Sequence, residues 1–321
     1  MQNELSDEQK QVLEMCHRVI REIKKVIIGK DDIIIKVLLS VLAGGHVLIE
    51  DIPGVGKTTL ALALSKALSL EYKRVQFTPD VLPSDLTGFM ALNKKTGEFE
   101  YKSGAALTNL FLADEINRTS SKTQSALLEV MEEHQISLDG KTMHLPSPFM
   151  VLATQNPVET YGTYHLPEAQ MDRFLMKISM GYPSAEEELD IITRSEHPAF
   201  TEKLSAVMSV EDVNTHIVAV KQVRCTENIK KYIVDLLNAS RSSEFIKLGA
   251  SPRAGIALLK ASKAYAYING RNYVVPDDVR AMTSCVLAHR LMLSPKGKSV
   301  YGGDPAAAME QAASTVAVPI E

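Results

Sequence analysis

Cysteine is scarce in this 321-residue chain. Cys16, Cys225 and Cys285 are odd in number and far apart, with no Cys-x-x-Cys and no His-Cys cluster at metal-ligand spacing. Neither a disulfide framework nor a zinc site is expected, and a reducing compartment, the cytoplasm, is the expected location. Tryptophan is absent and phenylalanine and tyrosine are sparse, which leaves leucine, isoleucine, valine and alanine to build the core. Basic residues are not in excess: 35 Lys and Arg against 39 Asp and Glu give a formal charge of −4. Pairs such as Lys24-Lys25, Lys94-Lys95 and Lys230-Lys231 read as solvated faces, so nucleic acid is not expected as a partner. No apolar run reaches the length of a membrane span, and Met1 to Lys10 is polar and acidic. Neither membrane insertion nor a signal peptide is therefore expected.

What is present centres on Glu50-Asp51-Ile52-Pro53-Gly54-Val55-Gly56-Lys57-Thr58-Thr59. The apolar stretch Val47-Leu48-Ile49 precedes it and a helix-prone run through Leu68 follows, the strand, turn and helix that a phosphate-binding loop requires. Gly54 and Gly56 let backbone N–H groups converge on phosphate oxygens, with the positive end of the next helix behind them. Lys57 is placed to reach the terminal phosphates, and the Thr58 hydroxyl suits Mg²⁺, a hard cation that prefers oxygen. Asp51, Pro53, Gly54, Val55, Gly56, Lys57, Thr58 and Thr59 are the candidate nucleotide-binding residues. The strict pattern has Gly where this chain has Asp51.

Around the loop, apolar runs and turn signals alternate. A capping box at Ser6 to Gln9 opens a first helix, and a second runs from Ile33 to Ala43 and stops at Gly44-Gly45. Further strands are expected at Tyr72–Phe77, Leu107–Ala113, Phe149–Thr154 and Phe174–Met180, with Ser121 to Gln124 capping the helix that carries Leu127, Val130 and Met131. Phe89–Tyr101 and Gln135–Leu145 read as hairpins, the second turning at Asp139-Gly140. Strands separated by helices argue an α/β fold with a mostly parallel sheet covered on both faces. Beyond Pro183 the strand signal ends. Helices opening at Ser184, Thr226, Ser251-Pro252 and Pro276 imply a small all-α unit, giving expected domains 1–198 and 199–321 joined near Glu196-His197-Pro198-Ala199.

Nucleotide hydrolysis needs held phosphates, a placed metal, an aimed water and neutralised charge. Asp114 ends an apolar strand expected to lie beside the loop strand, where a carboxylate can orient Mg²⁺ or its waters. Glu115 can polarise the attacking water, and Asn156 can place that water by donating and accepting hydrogen bonds. Arg173 could partner Asp172 locally or reach a neighbouring subunit's phosphate. Arg253, in the first turn of a later helix, could clamp the terminal phosphate across a cleft.

Taken together, Asp114-Glu115-Ile116-Asn117-Arg118, Gln124 to Glu129, Ala153-Thr154-Gln155-Asn156-Pro157, Leu166 to Phe174 and Ser251-Pro252-Arg253-Ala254 resemble the MoxR branch of the AAA+ ATPases, relatives of magnesium-chelatase I-subunits. The resemblance runs from about Ile28 to Arg290. It implies a P-loop NTPase domain of three α/β/α layers followed by a helical lid. By resemblance, Lys57 and Thr58 belong to Walker A, Asp114 and Glu115 to Walker B, Asn156 to sensor one, Arg173 to a finger acting in trans and Arg253 to sensor two. The first Gly of the loop is commonly replaced in that family, in agreement with Asp51. The resemblance further implies ATP and Mg²⁺, a homo-oligomeric ring of usually six subunits, and a chaperone-like remodelling role. A protein client and a von Willebrand A domain partner belong to the same expectation. A nucleic-acid motor or loader and a small-molecule kinase remain as alternatives on the same core.

Overall fold

The computed structural model describes residues 7–138, 140–157, 166–195 and 204–319. In chain order the α/β part contributes β1 (Val47–Glu50), β2 (Tyr72–Gln76), β3 (Phe89–Leu92), β4 (Phe99–Lys102), β5 (Leu110–Asp114), β6 (Gln135–Leu138), β7 (Lys141–His144), β8 (Met150–Gln155) and β9 (Met176–Ile178). The main sheet has the order β2-β5-β8-β1-β9, and every neighbouring pair in it is parallel. The other four strands form the two expected antiparallel hairpins, β3–β4 and β6–β7. Asp139 of the expected turn lies outside the described residues, as do Ser6 of the first capping box and the expected linker at 196–199.

The strand order corrects one expectation. β5 does not lie beside β1; β8 lies between them and pairs with both. The two strands are almost uniformly buried and apolar, so nothing in their composition distinguishes an inner neighbour from an outer one. Alternating side chains divide the sheet between two layers. Val47, Ile49, Leu110, Leu112, Leu152 and Ile178 face one core. Leu48, Phe111, Ala113, Val151 and Ala153 face the other, beneath Leu127, Leu128 and Met131 of helix Ser121–Glu133. That helix is capped by Ser120, one residue earlier than expected, whose hydroxyl accepts the Thr123 N–H at 3.3 Å.

The C-terminal unit is built from helices Val210–Gln222, Glu227–Ser242, Pro252–Ile268, Pro276–Leu287, Pro295–Val300 and Pro305–Ser314. Ser184 with Glu187, Thr226 and Ser251 cap their helices as the sequence suggested. The all-helical expectation needs one amendment: β10 (Ile246–Leu248) and β11 (Met292–Leu293) pair as a short antiparallel ribbon. Three- and two-residue strands are too short to leave an alternating pattern. Leu236, Leu258, Val286 and Met309 of this unit belong to the same continuous cluster as Ile49, Leu112 and Leu152 of the sheet.

Candidate nucleotide site

At the carboxyl edge of the sheet, β1 runs into the loop 51–56 and then helix Lys57–Ala67. Gly54 and Gly56 adopt φ of +86° and +94°, in the left-handed region that glycine enters without strain, and no atom outside the loop crowds either position. The helix starts without a side-chain cap and without an acidic residue in its first turn, so its leading N–H groups suit an anion. Lys57 is buried, and its ammonium donates to the carbonyls of Asp51 at 2.8 Å and Ile52 at 3.2 Å. Burial pushes its pKa down, while Asp114, Asp51 and Glu115 push it back up. Thr58 and Thr59 are half-buried in the first turn, Val55 half-buried in the loop, and Pro53 exposed.

Asp51 has a different setting from the rest of the loop. Its carboxylate accepts from Ser179 Oγ at 3.1 Å, from the Gly181 N–H at 2.9 Å and from the Met180 N–H. It therefore ties the loop to the exit of β9 rather than pointing where phosphate would sit.

The ends of β5 and β8 meet this loop. Thr154 links them: its hydroxyl donates to Asp114 Oδ1 at 2.6 Å and accepts the Glu115 N–H at 2.9 Å. The other Asp114 oxygen accepts from Arg74 of β2 at 2.7 and 3.2 Å. Glu115 takes a left-handed backbone, φ +57°, a conformation costly for a residue with a Cβ and one that turns the chain sharply at the strand end. Arg118 donates to its carboxylate at 2.9 Å. Asn156 is buried just past β8, its carbonyl accepting from Asn117 Nδ2 at 3.4 Å, level with the Asp51 N–H to Gln155 carbonyl bond of 3.0 Å.

The two arginines lie elsewhere. Arg173 precedes β9, and Arg253 begins helix Pro252–Ile268; both meet Glu132, Arg173 through its Nε at 3.0 Å and Arg253 through Nη2. They border a cavity of about 190 Å³ at the amino edge of the sheet, together with His46, Lys260 and Arg290. This edge is separated from the phosphate loop by the four residues of β1, about 13 Å at the usual rise per residue. Arg253 therefore does not clamp its own chain's loop across a cleft, as the sequence reading allowed. Of the two alternatives for Arg173, the local pairing with Asp172 is not formed: Asp172 bonds Arg290 Nε at 2.6 Å and Ser251 Oγ at 3.1 Å. Arg290 is buried and donates as well to the carbonyls of Asp172, Phe174, Leu175 and Val286. His46 is equally enclosed; Nδ1 accepts the Val151 N–H and Nε2–H donates to the Met131 carbonyl, each at 3.0 Å.

The profile described as "ATPase family associated with various cellular activities (AAA)" matches residues 46–176, and the AAA lid domain profile matches residues 238–312. Chaperone MoxR1 of Mycobacterium tuberculosis is 39% identical over 290 residues, covering 86% of this chain and 75% of the relative. The chain belongs to the MoxR family of AAA+ ATPases. The uncharacterized protein YeaC of Bacillus subtilis is 50% identical over 304 residues, 95% of each chain. The crystal structure of a proposed ATPase from Cytophaga hutchinsonii superposes with a TM-score of 0.90 at 38% identity, covering 98% of both chains. For this MoxR-type chain, the α/β fold with its lid agrees with the sequence reading.

Sequence reasoning missed Arg74, Thr154, Glu132 and Arg290. In the sequence Thr154 stands out only as part of a motif, and its contact with Asp114 depends on β8 lying next to β5. Arg74 carried a weak signal: a cation amid a strand, two residues before the end of β2. Glu132 and Arg290 left none, since their partners lie far away along the chain.

Proposed function

We propose that the protein hydrolyses ATP with Mg²⁺ at the interface between adjacent copies in a ring, usually of six. We infer that it couples this cycle to remodelling a protein client as a complex matures or is activated. The observation that carries the reading is the division of the site: loop, Asp114, Glu115 and Asn156 at one edge of the sheet, Arg173 and Arg253 at the other. Two copies packed edge to edge would complete it.

The residues at the loop edge fit the nucleotide and its metal. An uncapped helix start with N–H groups to spare, a buried lysine and an uncrowded glycine loop suit phosphates. Thr58 and Asp114 offer hard oxygens, and Mg²⁺ commonly takes only one or two such protein ligands beside phosphates and waters. Among the described residues no cluster of three or more His, Cys, Asp or Glu provides another metal site. When bound, Mg²⁺ would neutralise charge on the phosphates. Lys57 would exchange the loop carbonyls for phosphate oxygens, Thr154 would hold the Asp114 carboxylate in place, and Asn156 would position the water. Glu115 would accept hydrogen bonding from that water after turning from Arg118. Asp51 would act through the loop's shape.

The name of the mycobacterial chaperone supports the client role. A von Willebrand A domain protein is the expected partner, with work in the cytoplasm; among the described residues no helix is long and apolar enough to cross a membrane.

Mixing variants tests the divided site. Arg173→Ala and Arg253→Ala should each bind ATP and hydrolyse little, since an arginine supplied in trans is worth roughly 10³–10⁵ in rate in other nucleotide hydrolases. Each should regain activity when mixed with Lys57→Ala subunits. Turnover independent of protein concentration, with no rescue in the mixture, would refute the interface site.

A further inference from the structure

We propose that Glu132 is a positioning residue for hydrolysis, which gathers Arg173 and Arg253 into one pair aimed at a single terminal phosphate of an adjacent copy. The inference rests on the proposed function and adds to it a residue with no place in the motif reading.

Glu132 sits in the last turn of helix Ser121–Glu133 and gives one carboxylate oxygen to each arginine. The two cations come from different structural units, one from the loop before β9 and one from the first turn of a C-terminal helix. A single carboxylate cannot neutralise two guanidinium groups, so the pair keeps a net positive charge. Lys260 on the same cavity wall adds to it, whereas Arg290 is already matched by Asp172. Each arginine also keeps donors in reserve. Glu132 pairs with Arg173 by charge, 3.0 Å from its Nε without the alignment of a hydrogen bond, and accepts from Nη2 of Arg253, so the guanidinium N–H groups of Arg173 and the Nε and Nη1 of Arg253 carry no protein hydrogen bond among the described residues.

The stems are fixed as well as the tips. Asp172, next to Arg173, accepts from Ser251, the residue that caps the helix bearing Arg253. The arginines are thus tied at their roots through Asp172 and near their ends through Glu132. All three side chains of the cluster remain about a third to a half exposed, at 31%, 46% and 35%, and such ion pairs contribute little to folding. What the carboxylate contributes is geometry: two guanidinium groups converging on one place, where small misplacements cost much rate.

The test is Glu132→Gln, which keeps the shape and removes the charge. We expect kcat to fall about tenfold with the KM for ATP within about twofold and the urea midpoint unchanged, the pattern of a lost transition-state interaction. Arg253→Ala should cost less in the Glu132→Gln background than alone, because residues acting as a unit are not additive. Glu132→Asp, which keeps the charge on a shorter arm, should recover part of the rate. Wild-type kcat in Glu132→Gln, or independent multiplication of its effect with that of Arg253→Ala, would overturn the inference while Arg173→Ala stays inactive. Wild-type turnover by Arg173→Ala would instead overturn the proposed function.

Discussion

Acid should unfold this protein partly through one histidine. His46 is buried with both ring nitrogens committed, Nδ1 as acceptor from Val151 and Nε2–H as donor to Met131. A proton on Nδ1 would break the first bond and place a cation in the core. Burial accordingly lowers its pKa to about 4, only partly opposed by the Met131 hydrogen bond, while His134 and Lys260 lower it further. In the unfolded chain a histidine titrates near 6.5, so between these values the unfolded state binds the proton more readily. The contribution is complete above about pH 6.5 and is lost as pH falls toward 4. A shift of this size corresponds to about 3 kcal/mol in full, of which roughly 2.5 kcal/mol is gone by pH 4.5. The comparison is with His46→Asn, whose amide oxygen can still accept from Val151 but which has no proton to gain. Other histidines whose pKa the fold lowers, His289 among them, titrate in both proteins and cancel. Urea melts at pH 7.5 and 4.5 should show the variant weaker than wild type at the higher pH, with the gap closing by about that amount at the lower. A gap that stays constant within about 0.5 kcal/mol would refute the reasoning.

Asp172→Asn should remove about 3 kcal/mol of stability, because Arg290 would remain buried as an uncompensated cation; urea midpoints at neutral pH check it. Lys57→Ala should lose ATP binding by calorimetry, while Glu115→Gln keeps binding and loses phosphate release. Normal turnover by the glutamine variant would remove Glu115 from its assigned role.

The sequence carried the parts that depend on local chemistry. Apolar runs marked the main strands, Gly54 and Gly56 marked the loop, and Ser251-Pro252 marked a helix start, because each rests on neighbours within a few residues. Lateral order was not legible. Leu110–Asp114 and Met150–Gln155 are both fully apolar until their ends, and only packing decides that the second lies inside. From that one choice follows the Thr154 bridge between Asp114 and Glu115. The placement of Arg253 failed for a similar reason: its helix was read correctly, but the edge against which that helix docks is set by Asp172, Glu132 and Ser251. Those contacts join residues 79 to 121 positions apart.

The continuous core beneath the sheet and the C-terminal helices bears on how motion can travel. A cap held only by a hinge can swing over its own nucleotide, but here Leu236, Leu258 and Val286 belong to one apolar cluster that continues to Ile49, Leu112 and Leu152 of the sheet. Opening that seam would wet apolar surface at roughly 25 cal/mol for each Å² exposed. Each subunit should therefore pivot as a single block. In the ring proposed above, work drawn from the nucleotide would appear as slippage at the joints between blocks.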